Sequence, residues 1–475
     1  MVGDVIDWGG LAASGLVRLE IVILGYFLLV NSFYAVLLVS AVLEMVQHLR
    51  VTWLEGRWRV LNSRVAPTIT VLAPAHDEAP TIAASVRALL ALYYPNLEVI
   101  IVNDGSTDPT LDVLRREFDL IPVHPIFQRR LVTEPVRGLY RSPSHPSLLV
   151  VDKDNGGKAD ALNAGLNVAS GDLVCAIDAD TLVEPDALQR MVRPFLISGE
   201  IVAAGGTIRV ANGCVIRGGR VVVARVSRRP LPGFQAVEYL RAFLFGRLGW
   251  NRMGGNLIIS GAFGLFRRDA VIASGGYEHG TVGEDMELVL RLRRRGVELH
   301  GPSQVKFIPD PVAWTQVPDS PRVLARQRDR WHRGLADTMW RHRRLFFNPR
   351  YGAMGMIAMP YFVIVELFAP VVEAVGLAGL ALGLLTRAVN LPFAAMFFLV
   401  AYGYGLILTL ATVLLEEFSF HRYASAGDHA VLVGWALLEN FGYRQATVVW
   451  RLRGLIKYLR GRKDWGAMER KGFSP

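Results

Sequence analysis

Hydrophobic and polar positions divide the chain into apolar flanks and an alternating middle. Residues 21–43 and 391–415 carry no charge, and each run exceeds the roughly 20 residues a helix needs to cross a bilayer. The first starts too late and runs too long for a cleaved signal peptide, which predicts a retained anchor. Residues 351–386 are also apolar but hold Glu366, Pro370 and Glu373. A carboxylate in a membrane helix is costly and ordinarily faces protein or water. That stretch therefore reads as one kinked span or a span preceded by an interfacial segment, with two facing helices broken near Pro370 as a third arrangement. Residues 430–450 include Glu439, Asn440 and Arg444, a composition suited to a re-entrant or interfacial helix.

From 67 to about 301 the period shortens. Residues 68–72 predict a strand, and Pro80 opens a helix that runs through Ala91. Residues 97–102 predict a second strand ending at Asn103-Asp104-Gly105, and 148–151 are a candidate third. The stretch 155–163 leads a helix toward the short apolar run 173–177, which ends in Asp178-Ala179-Asp180, with Pro185 ahead of the next helix. Strands alternating with helices predict an α/β domain with a mostly parallel sheet.

The 475 residues allow two or three domains, and 52% are hydrophobic, which the membrane segments account for. The net charge of +10 arises from 52 basic and 42 acidic side chains. Basic residues gather beside the apolar runs: Arg50, Arg57, Arg59 and Arg64 follow the first, and Arg451 to Lys471 fill the tail. That placement favours anionic lipid as partner and argues for no nucleic acid. It also predicts an outside amino terminus and a cytoplasmic middle domain. Cys175 and Cys214 lack metal-ligand spacing and are expected as free thiols. The basic run 220–229 predicts a loop or hairpin near the membrane, and 291–295 a solvated helix face. The proline-bearing insert 118–145 predicts an extended surface loop.

Neither G-x-G-x-x-G nor a P-loop is present. Instead, carboxylates recur at strand ends, where open α/β sheets bind ligands. Asp178 and Asp180 are hard oxygen donors that suit Mg²⁺ or Mn²⁺. Alone, such a pair is equally a solvated turn, and Asp104 equally an Asx-turn with Gly105. Glu284 and Asp285 open a helix over 286–295, where acids are favoured by the helix dipole anyway.

Seven motifs between 71 and 331 occur in a telling order. They are Pro74-Ala-His-Asp-Glu78, Asn103-Asp-Gly-Ser106, Gly157-Lys-Ala-Asp-Ala-Leu-Asn163, Asp178-Ala-Asp180, Ser260-Gly-Ala-Phe-Gly-Leu-Phe-Arg267, Gly283-Glu-Asp285 and Gln327-Arg-Asp-Arg-Trp331. In these the chain resembles the family 2 glycosyltransferases of the membrane-integrated polysaccharide synthase group, which make cellulose, chitin, hyaluronan or poly-N-acetylglucosamine. The resemblance implies an N-terminal anchor (1–50) and a cytoplasmic GT-A glycosyltransferase domain (51–320). Interfacial helices (321–350), transmembrane helices (351–418) and a re-entrant or interfacial helix with a basic tail (419–475) would follow.

The implied activity is inverting, metal-dependent transfer from a UDP-sugar, with UDP-GlcNAc or UDP-glucose favoured, onto a growing β-linked polysaccharide or a glycolipid. By the same resemblance Asp180 and Asp178 hold Mg²⁺ or Mn²⁺, Glu78 and Asp104 contact uridine, and Lys158 lies near the nucleotide. Asp285 is the implied general base, with Glu284 beside it. Gln327, Arg330 and Trp331 cap the site, Trp331 stacking on the acceptor sugar and Arg330 offsetting diphosphate charge, while Trp340 anchors at the interface. Ser260 and Gly261 line the acceptor side, Gly261 and Gly264 allowing close approach or serving a turn. Gly283 departs from the commoner Thr-Glu-Asp. Glu366 and Glu373 either meet sugar hydroxyls in an export channel or pair with Arg444 or another arginine. The rivals are a non-processive transferase acting on a lipid carrier and a catalytically degenerate membrane scaffold. Self-association stays open, and no added regulatory domain is expected after the last span.

Overall fold

The computed structural model describes residues 8–54, 66–124, 127–178, 181–299, 303–420, 422–423 and 425–461. Arg57, Arg59, Arg64, Asp180 and the basic tail from Arg462 onward lie outside the described residues.

Strands form at Ile69–Ala75 (β1), Leu97–Asp104 (β2), Ile121–Val123 (β3), Val136–Arg141 (β4), Leu148–Lys153 (β5) and Leu173–Ile177 (β6). They continue at Leu182–Val183 (β7), Ile201–Val210 (β8), Val215–Arg217 (β9), Arg220–Val223 (β10), Phe263–Arg267 (β11) and Gln304–Thr315 (β12). Ten of them make one sheet in the order β3-β4-β5-β2-β1-β6-β11-β8-β12-β7. Its centre, β5-β2-β1-β6, is parallel, and β11 and β4 insert antiparallel on either side. The central strands are buried along nearly their whole length, which is why they read as uninterrupted apolar runs. The chain builds outward from β1 through β2 to β5, then crosses back to place β6 on β1's other edge. That reversal opens a crevice at the carboxyl ends of β1 and β6, the place where a doubly wound sheet receives a ligand. Glu78 and Asp178 follow β1 and β6, and Asp104 is the last residue of β2 beside them.

An N-terminal helix, Trp8–Leu54, contains one candidate membrane span, Ser14–Thr52, and Leu391–Phe420 is a second. Between them Met354–Leu367 and Ala369–Leu385 are bent by 42°, the geometry of either a broken span or a re-entrant pair, with Pro370 in the first turn of the second helix. The 430–450 stretch is not one helix: Ala426–Leu438 and Tyr443–Leu459 are separated by a turn at Gly442, whose φ is +83°.

Two expectations need correction. The 291–295 arginines are not a solvated face: Arg291 is buried and donates to Glu287 and to the carbonyls of Ser274 and Gly276, while Arg293 donates to those of Asn256 and Gly254. The helix Glu284–Leu299 thus staples two neighbouring loops. The 118–145 insert is not simply a surface loop, since β3 and β4 extend the sheet edge and Asn167 accepts from the backbone N–H groups of Arg130 and Leu131. The 220–229 run begins in a hairpin, β9–β10, as expected, and Arg229 then takes the N-cap position of the helix Pro230–Leu240.

Candidate active site

The crevice opens into a cleft of about 1560 Å³ that runs from the sheet to the membrane helices. At the sheet end stand Glu78, Thr81, Lys158 and Asp178; Ser260, Gly261, Glu284 and Asp285 follow. Gln327, Arg330 and Trp331 form one wall, and Tyr34, Tyr361 and Glu366 close the membrane end. Of the residues singled out from the sequence, Asp104 is not in the lining, and Asp180 lies outside the described residues.

Asp104 is instead committed inward. Its carboxylate accepts from Lys153 Nζ at 2.7 Å and from the backbone N–H groups of Gly156 and Gly157 at 3.0 and 2.8 Å. The Lys153 ammonium also pairs with Asp160 at 2.6 Å, and its side chain is wholly buried. This cluster folds the 153–158 loop, in which Gly157 takes φ +85°, back over the end of β2. Lys153 was missed in the sequence because it simply ends an apolar strand; the only signal was a cation beside strand-end acids.

Lys158, at the other end of that loop, opens the helix Lys158–Val168 and meets Asp178 Oδ1 at 2.6 Å and Glu284 Oε1 at 3.7 Å. Burial by itself would lower its pKa, but Asp178, Glu284 and Asp285 reverse this and hold the ammonium charged above its ordinary range. Glu284 is buried, and burial raises its pKa despite the opposing pull of Lys158. Asp285 is different: half-buried, it accepts from Gly261 N–H at 3.0 Å and from Met286 N–H at 2.8 Å, and forms no ion pair among the described residues. A Cβ at Gly261 would stand 3.3 Å from both Asp285 Oδ2 and Lys158 Nζ, so close approach, not turn chemistry, is the reason for glycine there.

The glycine that replaces threonine ahead of Glu284 also has a local cause. Gly283 faces Gly334 of the helix Pro321–Arg341, and a Cβ at Gly334 would lie 3.2 Å from the Gly283 backbone. The two backbones touch, and the helix Pro321–Arg341 rests directly on the turn that leads into the helix carrying Asp285. On that helix Trp331 stays 44% exposed, with the Arg328 guanidinium 4.6 Å from its ring centroid. Arg328 itself pairs with Glu238 at 2.7 Å. The Gln327 side-chain oxygen is buried without a hydrogen-bond partner. His332 is pushed down to about 3 by burial and by Arg451, so it is neutral at physiological pH.

Sequence reasoning passed over His332, Arg247 and Trp250 and read Arg451 only as part of a basic tail, yet all four line the cleft. They sit on helices with no strand-end acid to draw notice. Glu366 and Glu373 both pair, Glu366 with Arg451 at 3.7 Å and Glu373 with Arg444 at 2.9 Å; only Glu366 reaches the cleft.

A parallel-centred sheet with acids at its switch point, flanked by helices, is the GT-A glycosyltransferase architecture. A mannosyltransferase from Pyrobaculum calidifontis, solved with GDP-mannose and Mn²⁺, shares this fold at TM-score 0.50 and 21% identity, over 89% of this chain and 99% of that one. The model of "Glycosyl transferase family 2" matches residues 70–273, and that of "Glycosyl transferase family group 2" matches 173–408. The chain carries family 2 glycosyltransferase domains and is similar to polysaccharide synthases. It is 29% identical to the poly-β-1,6-N-acetyl-D-glucosamine synthase of Staphylococcus aureus, over 58% of this chain and 56% of that one. A probable glycosyltransferase of Bacillus subtilis is 29% identical over 58% and 57%. The chain therefore spans less than two thirds of the length of these curated relatives.

Proposed function

We propose that this enzyme is an inverting, metal-dependent synthase that extends a β-linked polysaccharide from a UDP-sugar, UDP-GlcNAc or UDP-glucose, on the cytoplasmic face. The observation that carries the reading is the single cleft, which joins the nucleotide end at Asp178 and Lys158 to Tyr34, Tyr361 and Glu366 on the membrane helices. A non-processive enzyme needs only the first part of such a path. The membrane end would be where the lengthening chain leaves.

The donor's nucleotide lies over the ends of β1 and β2, against Glu78. Asp104 acts there through the loop it holds, which presents Lys158 to the diphosphate. The donor set fits a hard divalent ion: Asp178 is a partly exposed carboxylate at a strand end, already facing one cation, and Asp180 is two positions on. When bound, Mg²⁺ or Mn²⁺ would neutralise charge on the leaving diphosphate. Asp285, fixed by Gly261 and Met286 N–H groups and without an ion pair among the described residues, takes the proton from the acceptor hydroxyl. That oxygen attacks the anomeric carbon from the face opposite the diphosphate, the bond to UDP breaks, and the configuration inverts. Glu284 supports Lys158 rather than acting as base, since burial keeps it toward its neutral form. Trp331 offers a ring face to the acceptor sugar, and Gln327 and Arg330 complete that wall.

The test uses purified full-length protein in nanodiscs with Mn²⁺ or Mg²⁺ and single UDP-sugars, reading UDP release and product size together. A high-molecular-weight product from one donor supports the synthase and names its sugar. Short or lipid-linked product alone would favour transfer to a lipid carrier.

A further inference from the structure

The basic side chains facing the cleft are mostly matched: Lys158 by Asp178, Arg241 by Glu439, Arg328 by Glu238 and Arg451 by Glu366. Arg247 is not. It ends the wide π-helical turn Arg241–Arg247 within the helical segment that begins at Pro230, an irregularity often found at functional sites. Its guanidinium lies 4.1 Å from the Phe243 ring centroid, and among the described residues its buried Nη1 has no hydrogen-bond partner and the side chain forms no ion pair. Burial lowers its pKa to about 10, only partly offset by the Asp285 and Tyr239 charges, so it remains a cation at neutral pH. Leaving such a group unmatched is costly unless something brings the missing acceptor atoms. Arg247 shares the cleft with Asp285, Trp250, Trp331, Tyr34 and Tyr361, aromatic surface of the kind a glycan can lie against.

We infer that Arg247 is a specificity-determining residue that binds an oxyanion, carboxylate or phosphate, carried by the acceptor. A planar fork of donors suits either group in the same way. A carboxylate would come from a uronate unit in the acceptor glycan, a phosphate from the head of a lipid-linked primer. The inference rests on the cleft being the acceptor path, and it narrows the acceptor to one bearing negative charge there.

Binding tests this without turnover, so its failure is distinct from failure of the synthase reading. Quenching of tryptophan fluorescence in the full-length protein, with Trp250 and Trp331 lining the cleft, reports the Kd of two probe pairs. One pair is cellobiouronic acid and cellobiose; the other is a short-chain prenyl phosphate and the corresponding prenyl alcohol. The charged member of at least one pair should bind roughly tenfold tighter or better, as for a hydrogen bond to a charged group. The pair that discriminates names the source. Arg247→Met should bring that ratio close to one, and Arg247→Lys, which keeps the charge, should retain part of it. No discrimination in either pair, or a ratio unchanged in Arg247→Met, overturns the inference. Loss of binding to charged and neutral probes alike in both variants also overturns it, by giving Arg247 a purely structural role.

Discussion

Two lysines five positions apart, at the two ends of one loop, are each held by two acids, and they behave differently. Lys153, between Asp104 and Asp160, is fully enclosed, and every charge in that cluster meets a partner. Lys158, between Asp178 and Glu284, keeps 24% of its side chain exposed at the floor of the cleft. The closed cluster can only hold the loop in place. The open one can exchange partners, so an incoming diphosphate or divalent ion can replace part of what Lys158 and Asp178 now supply to each other. The same residue types thus give a closed scaffold at one end of the loop and, in the proposed reading, a binding site five residues on, and access to solvent makes the difference.

The strongest test of the open side is Asp285→Asn. Loss of a positioned general base should lower transfer roughly 10²–10⁴-fold, read as UDP release under saturating donor. On the closed side, Lys153→Met strands two buried carboxylates and should cost about 3–5 kcal/mol of stability, measured by chemical denaturation. Lys158→Met should instead weaken UDP binding, with a smaller stability loss because its surroundings are open to water. Equal stability losses for the two lysines would erase the distinction.

A third cluster extends the comparison. Glu287 is buried between Arg291 and His342, and although burial opposes ionisation, the His342 and Arg291 contacts bring its pKa from 4.5 to about 2. A lowered carboxylate pKa stabilises the fold above the unfolded value, and that contribution disappears as pH falls from about 4.5 toward 2. The amount is about 3 kcal/mol, and Glu287→Gln should flatten this acid limb in a pH series of denaturation curves. The smallest effect concerns the glycine contact. Gly334→Ala puts a methyl against the Gly283 backbone and should cost about 1–3 kcal/mol of strain, reducing transfer more than UDP binding, because it tilts the helix Pro321–Arg341 off the turn that leads into the Asp285 helix.

The central sheet was readable because strands buried on both faces are short, continuous apolar runs, as in 173–177, whose bounds the structure reproduces. Strand β12 was not, because Pro309 and Pro311 argue against a strand; the register shift between Ile308 and Pro311 absorbs them. Strand β8 hid behind Gly205 and Gly206, where Ile259 and Val312 crowd the backbone. Of the site, Asp178 showed as an acid at a strand end and Glu284-Asp285 as acids at a helix start, but only the resemblance marked these residues, and Lys158, as functional. The arginines at 291–295 were misread because tertiary packing, which no local pattern records, buries Arg291. Arg247 and His332 became visible only when helices distant in sequence met around one cleft.

The most direct measurement pairs transfer with donor binding in a single preparation of full-length Asp285→Asn beside the unaltered enzyme. The account predicts that UDP binds with Mn²⁺ at nearly the same Kd while glycosyl transfer falls at least roughly 100-fold. Transfer at close to the unaltered rate would contradict it, and with it the assignment of the acceptor end of the cleft to Asp285.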